Sequence, residues 1–186
     1  TGDPGTGKSA TVHALAEELG CSIFSKHVFK GSKLDTETAE KLFNETTRCV
    51  PMDGAPVHFV AIEEYERCVS NEVRTFLKGA LDMDIDPDDG GLPRRCIVVA
   101  TSNDVSKIEP ALLERFSLIH FSSGPTFAEA CRERLAEIWT AERPGEDLPQ
   151  DWFLWGWDAA LTRFSMRMAL RRMAEQLELM ELVGAA

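Results

Sequence analysis

The sequence predicts a three-layer α/β fold with a parallel sheet, followed by a small C-terminal α-helical lid. Short apolar runs of strand type alternate with helical patterns along most of the chain, which is the order that builds parallel βαβ units. After Ser122, Gly124 and Pro125 the pattern becomes helical throughout. We therefore predict two domains, an α/β domain over residues 1–124 and a helical lid over residues 125–186.

The predicted strands are of two kinds. The runs 57–62 and 96–101 are continuously apolar, which is typical of strands covered on both faces. A further short strand is predicted within 21–29, and a last strand over 118–121. An acidic loop follows at 82–90, and it lacks the glycine and glutamate positions of a calcium-binding EF-hand loop.

Apolar residues at helical spacing predict the helices. In chain order, the predicted helices cover residues 8–19, 35–49, 67–81, 110–114, 126–141, 151–162 and 165–183. Asp35 and Ser165 are the expected N-terminal caps of two of them. The residues expected to face the α/β core are Val12, Leu15, Ala16, Leu19, Ala39, Leu42, Phe43, Val69, Val73, Phe76, Leu77 and Leu81.

The chain opens on the pattern G-x-x-x-x-G-K-[ST], which is met by Gly2, Gly7, Lys8 and Ser9. The glycines allow backbone N–H groups to cradle phosphate oxygens, and the helix that starts near Lys8 points its positive end at the same anion. Lys8 supplies a charge to the β- and γ-phosphates, and the Ser9 hydroxyl is a Mg²⁺ ligand. The pattern therefore predicts that ATP and Mg²⁺ are bound.

Together with the α/β pattern, this phosphate-binding loop predicts that the fold is that of a three-layer P-loop NTPase. Because such a loop normally follows a strand, we expect a first strand to precede residue 1. The residues expected to contact the nucleotide are Asp3, Pro4, Gly5, Thr6, Gly7, Lys8, Ser9 and Ala10.

Two acids follow the buried run 57–62. Such NTPases usually carry Asp then Glu there, whereas this chain has Glu63 and Glu64. Mg²⁺ is often held through water, which can absorb the extra methylene of Glu63. Glu64 then stands where a general base would polarise the attacking water. The alternative is a pair of solvated acids at a helix N-terminus.

The order of these motifs resembles the AAA+ family of ATPases over essentially the whole chain, and most of all its Lon protease and branch-migration helicase members. The resemblance implies that Asn103, after the run 96–101, contacts the γ-phosphate or the attacking water. It implies that Arg115 is an arginine finger reaching a neighbouring subunit's ATP. It also implies that Arg167 contacts the γ-phosphate from the lid, with Arg171 and Arg172 as alternatives one turn later. Without that order, these would be a turn asparagine, a surface arginine and an ordinary basic helix face.

The resemblance also implies a ring, expected to be a hexamer, and a pore loop that grips a protein substrate. Phe29 and Gly31 fit the family's aromatic–hydrophobic–glycine pattern, and Lys30 departs from it. The alternative is a strand-end Phe29 packed in the core.

The net charge of the chain helps to rank the possible functions. The net charge is −11, and an acidic protein is a poor partner for nucleic acid, although a narrow basic pore can coexist with an acidic exterior. An ATP-driven protein remodeller is therefore the first hypothesis. A DNA-directed AAA+ motor is the second, with Lys26, His27, Lys30 and Lys33 near the expected pore. A weakly hydrolysing nucleotide switch, caused by Glu63 in place of Asp, is the third.

No apolar run is long enough to span a bilayer, and no signal peptide is visible. The five cysteines are scattered without a C-x-x-C pair, which argues against both a disulfide framework and a zinc site. We therefore expect a cytoplasmic protein with reduced thiols and no association with membranes.

Overall fold

The computed structural model describes residues 1–68, 70–82 and 95–184. Val69, predicted on a helix face, and the acidic loop 82–90 apart from Asp82 lie outside the described residues. The chain divides into two compact units. The first consists of Thr1 and Lys8–Ile119, and the second of Gly2–Gly7 together with the chain from His120 onward. The predicted division into 1–124 and 125–186 stays a prediction about domains.

The first unit contains a parallel sheet whose described strands have the order β1-β2-β3. These strands are β1 (Lys26–Lys30), β2 (His58–Glu63) and β3 (Cys96–Ala100). In the register, Lys26 pairs with Phe59, and His58 pairs with Cys96. The helices of this unit are α1 (Lys8–Glu18), α2 (Thr36–Asn44), α3 (Asn71–Leu81) and the short α4 (Pro110–Leu113). The parallel strands confirm the predicted fold class.

The middle strand β2 is covered on both faces, as its continuous apolar sequence predicts. Val60 and Ile62 point into one cluster of buried side chains, together with Phe43 of α2 and Leu77 of α3. Phe59 and Ala61 belong to a second cluster, with Val12 and Ala16 of α1. Because successive side chains of a strand point to opposite faces, these two clusters are the two interfaces of a three-layer arrangement.

Two of the predicted strand assignments need correction. The run 96–101 is only partly buried, and Ile97 is 38% exposed, because within the described sheet β3 has a neighbouring strand on one side only. The predicted strand over 118–121 is wrong: Phe121 makes one isolated parallel bridge with Gly2, while Leu118 and Ile119 are exposed. An apolar run forms no ladder where no continuous partner strand lies beside it.

Caps decide where the helices of the first unit begin. Asp35 caps α2, as predicted, because its Oδ1 accepts a hydrogen bond of 2.7 Å from the Thr38 N–H. α3 begins at Asn71 rather than 67, since Ser70 caps it with a bond of 3.3 Å from the Val73 N–H. The preceding 3₁₀ turn, Tyr65–Arg67, is separate from that helix.

The helices of the second unit are α5 (Pro125–Glu142), α6 (Trp152–Trp155) and α7 (Met166–Gly184). The predicted helix over 151–162 is wrong beyond its first turn. α6 stops at Gly156, and Asp158 then accepts hydrogen bonds of 2.8 Å from the Thr162 N–H and hydroxyl, which fold the chain into a turn. Side chains of Asp and Thr that bond to nearby backbone compete in this way with helix formation.

The core of the second unit is aromatic. Phe164 is fully buried, and its ring lies edge-on to Trp157, Trp152 and Phe127 at centroid distances of 5.7, 6.5 and 6.1 Å. Gly156 lies against the same ring, so a Cβ there would be only 2.3 Å from it. No described helix of either unit is long and apolar enough to cross a membrane.

Candidate active site

Both units contain residues predicted to take part in ATP binding or hydrolysis, and the residues of each unit are described separately. In the second unit, the segment Gly2–Gly7 is an irregular loop in which Gly5 has a φ of 82°. This left-handed conformation favours glycine. Thr6 is buried and its hydroxyl donates to the Asp3 carbonyl at 2.8 Å, which closes the loop on itself.

The start of α7 holds this loop in place. The Met166 N–H donates to the Gly5 carbonyl at 3.0 Å. A Cβ on Gly5 would be 2.0 Å from Ser165 Oγ, so only glycine fits against that hydroxyl. Ser165 caps α7, as predicted, with a bond of 3.4 Å from the Met168 N–H. Arg167 is exposed in the first turn of α7.

The side chain of Asp3 also has partners within the second unit. Its carboxylate accepts a hydrogen bond from the Ser123 hydroxyl and lies 3.5 Å from Nη1 of Arg163. The Asp3 side chain therefore already has protein partners, and the nucleotide contact at Asp3 stays a prediction that concerns the backbone of the loop.

In the first unit, α1 begins at Lys8, whose side chain is buried, and continues with Ser9. His13 lies one turn beyond Ser9, and its Nε2 is 3.7 Å from Oε1 of Glu63 at the end of β2. Residues four apart share a helix face, so Ser9 lies on the same face of α1 as His13, which contacts Glu63. Ser9 and Glu63 both offer oxygen atoms as metal ligands, the ligand type that Mg²⁺ prefers, so these side chains fit the expected metal.

Glu64 has an unusual backbone. Its φ and ψ are 53° and 49°, a left-handed conformation that costs a non-glycine residue about 1 kcal/mol or more. Thr101 holds it there: the Thr101 hydroxyl accepts from the Glu64 N–H at 3.2 Å, and the Thr101 carbonyl accepts from the Tyr65 N–H at 2.9 Å. The Glu64 carboxylate forms an ion pair of 3.1 Å with Arg67.

Asn103 is bound by a residue that the sequence did not single out. Its backbone N–H and its Nδ2 both donate to Oε1 of Glu66, at 3.2 and 3.1 Å. Thr101 and Glu66 are thus the two site residues that sequence reasoning missed. The available signals were their positions: Thr101 directly follows β3, and Glu66 lies two residues after Glu64.

Arg115 has a partner within its own chain. Its Nη2 lies 2.6 Å from Oδ2 of Asp82, and its Nη1 donates to the Ala111 carbonyl. Glu109, which precedes α4, is paired with Lys78. The Asp82 pair is partly exposed, so it is a weak restraint that a stronger anionic partner can replace.

Phe29 packs against the core cluster of the first unit, to which Leu42 of α2 belongs, and is only partly exposed. Gly31 lies so close to the Glu64 carbonyl that a Cβ would be 2.6 Å from that oxygen. The conformation described here therefore favours the packing interpretation of Phe29, and the pore-loop role stays a proposal.

Comparison with known proteins agrees with the predicted family. The family described as "ATPase family associated with various cellular activities (AAA)" matches residues 1–123. The Replication factor C small subunit of Archaeoglobus fulgidus is 25% identical over 154 residues, which cover 81% of this chain and 44% of that protein. The chain therefore spans less than half the length of this curated relative.

Solved structures show the same fold. A RuvB mutant of Thermotoga maritima superposes with a TM-score of 0.67 at 18% identity, over 97% of this chain and 55% of that one. The Saccharomyces cerevisiae Hsp104–ADP complex superposes with a TM-score of 0.57 at 19% identity, over 98% of this chain and 41% of that one. The predicted P-loop NTPase fold and ATPase class are confirmed at this level: the chain belongs to the AAA family of ATPases.

Proposed function

We propose that this chain binds Mg–ATP at residues 2–9 and hydrolyses it as one subunit of an AAA+ motor. The observation that carries the proposal is the phosphate loop, whose Gly5 takes a backbone conformation that favours glycine and which leads directly into α1 at Lys8. A loop of this kind at the start of a helix presents N–H groups and a positive dipole to phosphate.

Each remaining residue has a distinct role in this proposal. Ser9 and Glu63 would hold Mg²⁺, which would supply positive charge to neutralise the phosphate oxygens. Glu64 accepts a proton from the attacking water, and Asn103 orients that water. Arg167 contacts the γ-phosphate.

Substitution of Glu64 tests hydrolysis directly. Glu64→Gln keeps the shape of the side chain but removes the base, so we expect the ATPase kcat to fall by about 10²–10⁴-fold while nucleotide still binds. Glu72→Gln, an exposed acid in the first turn of α3, is the matched control. A wild-type chain that binds nucleotide but has no turnover would favour the nucleotide switch instead.

We propose that the active form is a ring, expected to be a hexamer, in which Arg115 acts on the ATP of the next subunit. Guanidinium suits this role because it is planar, permanently charged and bidentate. Assembly must then replace the Asp82 partner of Arg115 with phosphate. We expect the ATPase rate per chain to rise with protein concentration, and the Arg115→Ala variant to lose that rise. A dilute monomer with full activity would contradict the ring.

For the substrate, we propose protein remodelling, supported by the net charge of −11. Phe29→Ala should abolish substrate-stimulated ATPase activity and leave nucleotide binding intact. Phe24→Ala is the matched control, since Phe24 is more than half exposed, at 56%, and lies before β1. Unchanged stimulation in Phe29→Ala would remove the pore loop from the proposal.

A second candidate is a DNA-directed motor, favoured by the relative named Replication factor C small subunit. Lys30 is exposed at the end of β1 and Lys33 closes the following 3₁₀ turn, Gly31–Lys33. Binding of single- or double-stranded DNA that weakens with salt would support this candidate. Failure to bind DNA at low salt would exclude it.

We also propose that the protein works in the cytoplasm. All five cysteines lie among the described residues and are free, which is consistent with a reducing compartment.

A further inference from the structure

Two segments of the first unit are joined by hydrogen bonds at the ends of β2 and β3. Thr101 holds the backbone of Glu64 and Tyr65, and Glu66 holds Asn103. The candidate base and the candidate water-orienting amide therefore belong to one hydrogen-bonded structure. Glu66 lies in the 3₁₀ turn between them, a turn closed by the Arg67 N–H, which donates to the Glu64 carbonyl at 2.8 Å.

The contact between Glu66 and Asn103 fixes the orientation of the amide. A carboxylate only accepts hydrogen bonds, so the amide atom beside it must be the nitrogen. With Nδ2 held by Oε1 of Glu66 at 3.1 Å, the other edge of the amide presents Oδ1. The Asn103 side chain is otherwise exposed, and an exposed side chain without such a partner samples several rotamers.

We propose that Glu66 is a positioning residue that makes Asn103 an acceptor toward the attacking water. This proposal rests on the hydrolysis proposed above. A water molecule that donates one hydrogen to Glu64 and the other to Asn103 Oδ1 keeps its lone pairs free to attack the γ-phosphorus. The bond from the water oxygen to that phosphorus forms, the bond to the bridging oxygen breaks, ADP leaves, and the Glu64 carboxylate takes the proton.

The test combines a spectroscopic and a kinetic measurement on the full chain. The side-chain amide signal of Asn103 is assigned in a ¹H–¹⁵N spectrum by its loss in Asn103→Ala. Glu66→Ala should shift that signal and lower the ATPase kcat by about tenfold with little change in KM for ATP, because a misplaced amide affects the reaction and not binding. Glu66→Gln keeps an acceptor oxygen and should recover kcat to within about twofold of wild type.

A double-mutant cycle decides whether Glu66 acts through Asn103. We expect Glu66→Ala to have no further effect on kcat in the Asn103→Ala background. An equal loss of kcat in both backgrounds would overturn the proposal, as would an Asn103 amide signal that Glu66→Ala leaves unchanged. Failure of the proposed hydrolysis is recognised separately, since Glu64→Gln would then leave turnover unaltered whatever the amide signal does.

Discussion

The two units of this chain are built around chemically different cores. The first is centred on the parallel strand β2, and its buried side chains are mainly aliphatic, such as Val60, Ile62 and Leu77. The second has no β-strand among its described residues and packs tryptophan and phenylalanine rings around Phe164. All four tryptophans lie in the second unit, whereas the single tyrosine, Tyr65, lies in the first.

The two units therefore hold their candidate site residues by different kinds of contact. In the first unit, pairing with β1 fixes Glu63 at the end of β2, and the Thr101 hydroxyl holds the backbone of Glu64 just beyond it. In the second unit, the start of α7 holds the loop Gly2–Gly7 through the bond from the Met166 N–H to the Gly5 carbonyl and through a close contact with Ser165 that only glycine allows. We therefore expect the phosphate loop to be more sensitive to core substitutions in the second unit than the carboxylates are to single losses around the sheet.

The largest effect is expected from Phe164→Ala. Removing a fully buried ring that contacts three other aromatic side chains should cost about 3–5 kcal/mol of unfolding free energy. Urea denaturation followed by tryptophan fluorescence measures it. Phe153→Ala, at a ring that is 47% exposed, is the control and should cost far less. A loss for Phe164→Ala as small as that of the control would contradict the aromatic core.

Gly5→Ala is expected to have the next largest effect, a loss of about 2–3 kcal/mol of unfolding free energy. The new Cβ is strained by the positive φ and also collides with Ser165. Gly145→Ala separates the two causes, since Gly145 has a φ of 88° and open space around it; about 1 kcal/mol is expected there. The same denaturation experiment compares them, and equal losses would show that the contact with Ser165 is unimportant.

In the first unit, Thr101→Val should lower the unfolding free energy by about 1 kcal/mol, because the Glu64 N–H loses its acceptor. Thr101→Ser keeps the hydroxyl and is the control. Thermal unfolding gives the stability, and the ATPase assay shows whether the orientation of Glu64 is lost as well. If Val and Ser behave alike in both assays, the hydroxyl does not hold Glu64.

The smallest effect at neutral pH is expected at Tyr65. Burial raises the pKa of its phenol from 10.0 to about 12, so folding favours the neutral form. Stability from this group is therefore complete below pH 10 and is lost as the pH rises from 10 toward 12. Because the chain has one tyrosine, phenolate absorbance during an alkaline titration reports Tyr65 alone. Tyr65→Phe should be nearly neutral at pH 7 and should flatten the alkaline loss of stability. A folded-state titration midpoint near 10 would contradict the burial.

The sequence predicted the parts of the fold that depend on local periodicity. The strand β2, the capped start of α2 and the inward face of α3 at Val73 and Leu77 are confirmed. The run 118–121 was assigned wrongly, since an apolar run alone does not tell whether a partner strand lies beside it. The helix prediction over 151–162 is wrong beyond the first turn because the Asp158 carboxylate accepts hydrogen bonds from both the N–H and the hydroxyl of Thr162, which form a turn.

The candidate site was predictable where a motif specifies it and not where tertiary contacts do. The loop, Glu64 and Asn103 are visible as residues at fixed positions in a pattern. The left-handed backbone of Glu64 and its bond to Thr101 arise only when β2 and β3 lie side by side. The same is true of Glu66, because the segments it joins are 37 residues apart in the chain.

The distribution of the free cysteines makes the chain suitable for site-directed labelling. Cys49 is exposed, Cys96 is partly buried, and Cys21, Cys68 and Cys131 are buried. Burial also raises the pKa of the Cys68 and Cys131 thiols, which reduces the fraction present as reactive thiolate. A maleimide dye should therefore attach first at Cys49, before β2. Energy transfer between such dyes would then test the proposed ring in solution without any substitution in the protein.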